Sequence, residues 1–215
     1  LDKVIVSHWH ADHSGGLDSL AAGIPIDTLI SSQGGGGDNA ARTPASVNRV
    51  QQCHAGQRWQ WDEVEFRVLY PPAERAGLLA NGNLNNTSCV LQISANGQRV
   101  LLTGDIEQEA ERWLLSQWPD EIAANIVQAP HHGSRRSSSA AFIAAVQADW
   151  VVMSAGYNNR FDHPHPDIVQ RSQQAGVQVG NTAVSGALWF ESGGEQPLLI
   201  NRHREQARRF WHAPR

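Results

Sequence analysis

Apolar positions along the chain come in short runs at strand spacing, broken by segments at helical spacing. Residues 4–7 read as a short buried strand, residues 8–16 as a loop, and residues 17–22 as the start of a helix. A second strand covers residues 26–30. Pro44 suits the first turn of a helix, which the spacing carries through Val47 and Val50 to about Cys53. Val64, Phe66, Val68 and Tyr70 alternate, which predicts a strand with one buried face, ended by Pro71-Pro72. An Asn-rich loop follows over residues 81–86. Residues 88–94 and 98–103 then flank Asn96-Gly97, a strong signal for a tight hairpin.

Ile106, Ala110, Trp113, Leu114 and Trp118 share one side of a helix that Pro119 stops. Residues 125–129 form a buried strand that runs into Pro130-His131-His132-Gly133. A helix over 139–146, a strand over 150–154 and a helix over 166–175 come next, then short strands at 177–180, 187–191 and 197–201. Strands alternating with helices predict an α/β or α+β layered domain. Its span is residues 1–201, followed by a basic tail at 202–215.

Composition is that of an ordinary globular domain, with 40% hydrophobic and 18% charged residues among 215. Nowhere does an apolar run reach the roughly 20 residues needed to span a bilayer. The chain opens on a strand, Leu1-Asp2-Lys3-Val4-Ile5-Val6, rather than on a signal peptide. A strand leading straight into ligand-type residues suggests a fragment whose first strands, and a membrane region, lie upstream. The net charge of −4 creates no global positive field. Basic charge is local: Arg202, Arg204, Arg208, Arg209 and Arg215 stand against Glu205, either a solvated end or a phosphate-contacting strip. The four-glycine run at residues 34–37 has no Gly-Lys-Ser sequel and is not a phosphate loop. Cys53 and Cys89 form no metal-ligand pattern; a disulfide between them is compatible but not required, and Cys89 reads as a small core residue.

Chemistry concentrates at three strand ends. His8, His10, Asp12 and His13 occupy six positions directly after the first strand. Imidazole and carboxylate together suit zinc, manganese or iron rather than calcium, and the halves His8/His10 and Asp12/His13 can address two neighbouring ions. Leu101-Leu102-Thr103-Gly104-Asp105 delivers a carboxylate, a weak signal alone because Gly-Asp is also a common turn. Ala129-Pro130-His131-His132-Gly133-Ser134 delivers two imidazoles. Three such ends in one chain point to one site.

The segment His8-Trp9-His10-Ala11-Asp12-His13 resembles the His-x-His-x-Asp-His signature of the metallo-β-lactamase superfamily. The finer pattern is similar to the metallo-β-lactamase-like domain of ComEC-type DNA-uptake channel proteins. It rests on residues 7–16, Asn85-Asn86-Thr87-Ser88-Cys89-Val90-Leu91, residues 102–106, residues 130–134, and Asn159-Arg160-Phe161-Asp162-His163-Pro164-His165-Pro166. The resemblance implies an αββα sandwich lacking its first strands, a divalent transition metal (one or two ions, zinc or manganese), DNA as partner, and a membrane channel upstream. The parent would sit in the inner or plasma membrane with this domain on the extracytoplasmic side. One departure stands out: the histidine that many relatives carry between the first motif and the aspartate is missing, and His54 lies in an unrelated context. Residues 85–88 take that place, and Asn86 and Ser88 can bind a phosphate or water through neutral groups.

The implied reaction is hydrolysis of a DNA phosphodiester. Asp12, His13 and His131 are assigned to one ion, His8 and His10 to the other, and Asp105 bridges. His131 is preferred over His132 because it lies nearer the strand. His163 is the candidate proton donor, with His165 as runner-up. Ser134, Arg135 and Arg136 follow the presumed ligand and read either as a substrate-backbone clamp or as a solvated loop. Trp9 either stacks a base or shields the site. Two other readings stay open: a thioester or lactone hydrolase of the same superfamily, and a non-catalytic module that binds DNA or docks a channel.

Overall fold

The computed structural model describes residues 1–32, 43–75, 83–191 and 199–207. The glycine run at 34–37, the beginning of the Asn-rich loop and Arg208, Arg209 and Arg215 lie outside the described residues. Strands β1 (Lys3–Val6), β2 (Ile26–Ser31) and β3 (Val47–Gln52) form a parallel sheet in the order β1-β2-β3. Parallel neighbours need a crossover, and helices α1 (Ala11–Ser14) and α2 (Leu17–Gly23) supply the one between β1 and β2.

The second sheet holds β4 (Arg58–Trp61), β5 (Val64–Tyr70), β6 (Val90–Ala95), β7 (Gln98–Leu102), β8 (Ile126–Gln128), β9 (Trp150–Met153) and β10 (Gln178–Asn181). They lie in reverse chain order, antiparallel from β4 to β7 and parallel from β7 to β10. The parallel half is wound through α3 (Gln108–Gln117), α4 (Ala140–Val146) and α5 (Pro166–Gln174). After β10 come α6 (Thr182–Ser185), an antiparallel pair β11 (Leu188–Glu191) and β12 (Leu199–Arg202), and α7 (His203–Gln206).

Alternation along the strands sorts side chains into layers. Ile30, Cys53, Val68, Cys89 and Leu91, with Ile5 and Phe66 at the margin, form the apolar layer between the two sheets. On the outer face of the small sheet, Val6 and Leu29 pack under Leu17 and Ala21 of α2. On the outer face of the large sheet, Leu69, Val90, Leu101, Val127 and Val151 meet Leu114 of α3, Phe142 of α4 and Ile168 of α5. Full burial of one such side chain is worth about 1.5–3 kcal/mol, so this third layer anchors the helices. The result is helix–sheet–sheet–helix layering, as the αββα resemblance implied. Among the described residues no helix is long and apolar enough to cross a membrane.

Several local expectations needed correction. The helix expected from Pro44 to about Cys53 is strand β3, which pairs with β2 from Ile26↔Val47 to Ser31↔Gln52. Valines three apart fit a helix as well as a strand. The open edge of β2 decides the matter, together with Arg49 and Asn48 bonding Asp27 across the pair. Strand β4 was missed, although Trp59 and Trp61 alternate; it forms against β5, where Trp59 stacks on Phe66 at 5.2 Å. Helix α3 begins at Gln108 rather than Ile106, because the Glu107 backbone is extended, at φ −111° and ψ −179°. The stretch read as a loop at 8–16 contains the single turn α1.

Cys53 and Cys89 are joined in a disulfide between the end of β3 and the start of β6. Both cysteines are buried, so Cys89 is a core residue as well as a cross-link. Closing a loop of sequence separation 36 lowers the entropy of the unfolded chain by an amount worth about 2–4 kcal/mol. Urea unfolding of the reduced protein, or of the Cys53→Ser/Cys89→Ser double variant, is expected to show a loss of that size. An unchanged midpoint would count against a structural role for the bond.

Candidate metal centre

The carboxyl ends of β1, β7 and β8 face one another at the edge where the two sheets meet. Ligand sites in open α/β sheets collect at such ends. The Cys89 N–H donates to Ser7 O at 2.9 Å and so stitches the end of β1 to the start of β6. Beside it, Gly104 has φ +56°, and a Cβ there would lie 2.8 Å from Ser88 Cβ and 2.9 Å from Ser7 Cβ. Only glycine lets the chain turn at this distance. The turn sets Asp105 at the seam, its N–H donating to Ser88 Oγ at 3.0 Å.

Asp105 is buried amid imidazoles. Its Oδ1 lies 3.1 Å from His13 Nε2; its Oδ2 lies 3.5 Å from His132 Nε2 and 3.9 Å from both His8 Nε2 and His131 Nε2. Asp12, on α1 and largely exposed, reaches His132 Nε2 at 3.3 Å and His13 Nε2 at 3.6 Å. Asp12, His13, Asp105 and His132 thus each bring one ligand atom into a group whose members all lie within 4.8 Å of one another. His8 Nε2 and His10 Nδ1 approach to 3.0 Å beside this group. The ring of His8 is backed by Ser7 Oγ at 3.2 Å and Ser88 Oγ at 3.3 Å.

The adjacent histidines His131 and His132 point to different tasks. His131, His132 and Gly133 all have positive φ, at 50°, 56° and 81°, so strand alternation stops before them. His132 Nδ1 bonds Ser154 O at 2.8 Å. A carbonyl can only accept, so Nδ1 donates there, and Nε2 is left facing Asp12 and Asp105. His131 turns instead towards Glu107, with Nδ1 3.4 Å from Oε1, and lies beside Asn85 Nδ2 at 3.3 Å. Gly133 is required for a second reason: a Cβ there would stand 2.9 Å from Pro164 Cβ, closing the seat of the residue 163–165 loop.

Electrostatics follow burial and neighbours. Burial, reinforced by His13, pushes His8 down to about 4. Burial also lowers His131 and His163, the latter aided by His131 and His132. In His13, burial is outweighed by Asp105 and Asp12, and the pKa is raised. Burial of Asp105 is outweighed by His13, His132 and His8, and its carboxyl is held below the usual range. The result is an ionised carboxylate among imidazoles shifted in opposite directions, His8 and His131 downwards and His13 upwards, and perturbed groups of this kind gather at functional sites. His13 Nε2 and Asp105 Oδ1 are buried, close, and without hydrogen-bond geometry to any partner among the described residues. Such buried, unpartnered polar atoms, in an oxygen-and-imidazole donor set, fit a transition-metal cation.

Other expected site residues take supporting positions. Asn86 Oδ1 accepts from Glu107 N at 2.8 Å, and Ser88 links Asp105 to His8, so both stand behind the imidazoles and carboxylates. His165 caps α5, its Nδ1 accepting from Asp167 N at 3.2 Å. Arg135 pairs with Asp167 at 3.4 Å and Arg136 with Glu107 at 3.5 Å. Ser134 is buried, its Oγ accepting from Arg136 N at 3.4 Å. His163 stands at the rim, ring to ring with His131 at 5.5 Å and His132 at 6.3 Å. Trp9 packs in the core with Leu17 and Leu29. Sequence reasoning missed Asn83, Glu107 and the Ser154 carbonyl, and gave Ser7 and Asn85 no role of their own within their motifs. Glu107, two residues past Asp105, carried the one usable signal: it is a carboxylate beside a strand-end aspartate, here fully engaged by Asn83, Asn85, His131 and Arg136.

Layering and site together define a class. The model of the metallo-beta-lactamase superfamily matches residues 59–156, and the chain has the metallo-beta-lactamase fold. Among curated proteins it is 36% identical over 193 residues to competence protein ComA of Neisseria gonorrhoeae, covering 90% of this chain and 26% of that protein. It is 32% identical over 211 residues to the uncharacterized protein YcaI of Escherichia coli, covering 98% and 26%. To ComE operon protein 3 of Bacillus subtilis it is 29% identical over 197 residues, covering 88% and 24%. The chain spans about a quarter of the length of these relatives. Among solved structures, the metallo hydrolase Igni18 of Ignicoccus hospitalis superposes with a TM-score of 0.51 at 12% identity, over 93% of this chain and 78% of that one. The β-hydroxylase CmlA superposes with a TM-score of 0.53 at 14% identity, over 94% and 44%. These likenesses establish the fold alone.

The depressed pKa of His8 has a measurable consequence. The unfolded chain takes up a proton near 6.5, whereas folded His8 resists protonation to about 4. Its contribution is therefore complete above 6.5 and is lost as pH falls through 4, about 3 kcal/mol in all. His131 and His163 shift in the same sense, and His13 in the opposite one. Denaturant unfolding of chelator-treated protein is expected to weaken steadily from pH 6.5 to 4; a flat or rising profile would contradict the burial of a neutral His8.

Proposed function

We propose that this domain is a metal-dependent phosphodiesterase acting on DNA, within a membrane-bound DNA-uptake protein. The carrying observation is the convergence of Asp12, His13, Asp105 and His132 with their ligand atoms inside 4.8 Å. The competence-protein relatives support DNA as the substrate class. The buried disulfide supports an extracytoplasmic position, because such bonds persist in oxidising compartments.

In this reading Asp12, His13, Asp105 and His132 hold the first cation. His8, which stands beside Asp105, and its neighbour His10 would hold a second. The element facing His8 from the large sheet offers Ser88 Oγ rather than a further imidazole, which makes the second position the weaker one. A divalent cation here supplies positive charge that acidifies water and offsets the charge developing on phosphoryl oxygens. Ser154 O and Ser88 keep the ring of His132 and the backbone of Asp105 in place, so neither has to reorganise during the reaction. His163 is neutral at physiological pH, its pKa lowered by burial. It serves the leaving oxygen as a ring N–H donor at the rim. Arg136, exposed and beside Glu107, is the candidate contact to the substrate phosphate. Residues 1–201 make up the hydrolase domain, and residues from 202 onwards a basic tail.

The test is cleavage of end-labelled single-stranded and duplex oligonucleotides by chelator-treated protein resupplied with Mn²⁺ or Zn²⁺. Asp105→Ala and His13→Ala are expected to abolish cleavage, a fall of at least about 10³-fold given the share of rate enhancement that such charge stabilisation supplies. His132→Ala is expected to lose more bound metal, by atomic absorption, than His131→Ala. Turnover of thioesters or lactones without DNA cleavage would transfer the site to small-molecule hydrolysis. A folded protein that takes up no metal would end the proposal.

A further inference from the structure

The segment after β9 displays large aromatic side chains to solvent beside the metal centre. Tyr157 is 74% and Phe161 62% exposed. Exposed aromatics on a slack loop would fold back onto apolar surface, but this loop is braced. The Asn159 side chain donates to Gly156 O and His163 O and accepts from Phe161 N and His163 N. The Asp162 N–H donates to Asn159 O at 3.2 Å. The loop's far end is pinned where Pro164 packs on Gly133 and His165 N donates to Gly133 O at 2.9 Å.

Phe161 also lies in a graded series of rings. It stacks on His163 at 5.8 Å and 26°, and His163 is near-parallel to His132 at 6.3 Å and 27°. Two ring-to-ring steps therefore lead from solvent to an imidazole of the cation-binding group. The Arg160 guanidinium lies 4.7 Å from the Phe161 ring centroid, with no ion pair among the described residues. A flat apolar surface with a cation against it, two ring steps from the candidate metal centre, matches an unpaired base and the phosphate beside it.

We propose that Phe161, with Arg160, is a platform on which an unpaired base of single-stranded DNA stacks next to the phosphate at the metal centre. The inference rests on the phosphodiesterase reading above and adds strand selectivity to it. In a duplex the bases are already stacked on one another and cannot use the platform without being extruded. Stacking on one aromatic ring is tolerant of base identity, so the platform selects for single strands and not for sequence. Arg160, freed from its ring by the incoming base, meets the adjoining phosphate.

The test measures KM, with Mn²⁺ supplied, for a single-stranded oligonucleotide, its duplex and the same strand carrying abasic sites. Fluorescence anisotropy gives affinities for the same three ligands. Phe161→Ala is expected to weaken the single strand about 5- to 100-fold and to leave the abasic strand nearly unaffected. Phe161→Trp is expected to restore binding. Equal losses on intact and abasic strands, or no loss on either, would overturn the platform. Hydrolysis of bis(p-nitrophenyl) phosphate by the unsubstituted protein reports the phosphodiester chemistry separately. If that chemistry is absent, the anisotropy comparison still decides whether the base is recognised.

Discussion

The structure depends on the seam at which the two sheets meet. One hydrogen bond, from Cys89 N to Ser7 O, joins the end of β1 to the start of β6. One close approach, Gly104 between Ser7 and Ser88, brings the end of β7 into the same place. Everything chemical in the molecule is hung from that seam. The imidazoles of His8 and His13 come from one side and the carboxylate of Asp105 from the other, and Ser88 touches both. Burying an ionised carboxylate costs several kcal/mol unless it is compensated. Here the surrounding imidazoles supply compensation.

Two adjacent residues of the same type illustrate how finely backbone geometry divides labour. His131 and His132 differ by one position, yet one is turned to Glu107 and Asn85 and the other to Asp12 and Asp105. The divergence comes from consecutive left-handed residues, a conformation uncommon outside glycine. Such local strain persists only where surroundings over-determine it. Ser137 provides part of that restraint, bonding Pro130 O and Ser134 O across the turn.

Much of the architecture was legible in the sequence because it obeys simple periods. Strand β5 alternates Val64, Phe66 and Val68, and the hairpin around Asn96-Gly97 is written in its turn residues. The site's first motif was legible for a different reason: its four ligand-type residues are local in the chain. Contributions that depend on tertiary contact were not. Strand β3 is decided by the edge of β2, and β4 by a partner that its own short run does not announce. Strand periodicity favours His131 as the ligand because it assumes an extended chain, whereas the turn of positive φ sets His132 beside Asp12 and Asp105. Ser154 enters the site through its carbonyl, which no side-chain pattern encodes.

The four members of the cation-binding group are split between the layers: Asp12 and His13 follow the small sheet, and Asp105 and His132 follow the large one. A cation held by all four is therefore a cross-link between layers as well as a reagent. By linkage, its binding free energy appears as resistance to parting the layers. The same coupling means that prying the layers apart releases the ion, so the centre cannot persist half assembled.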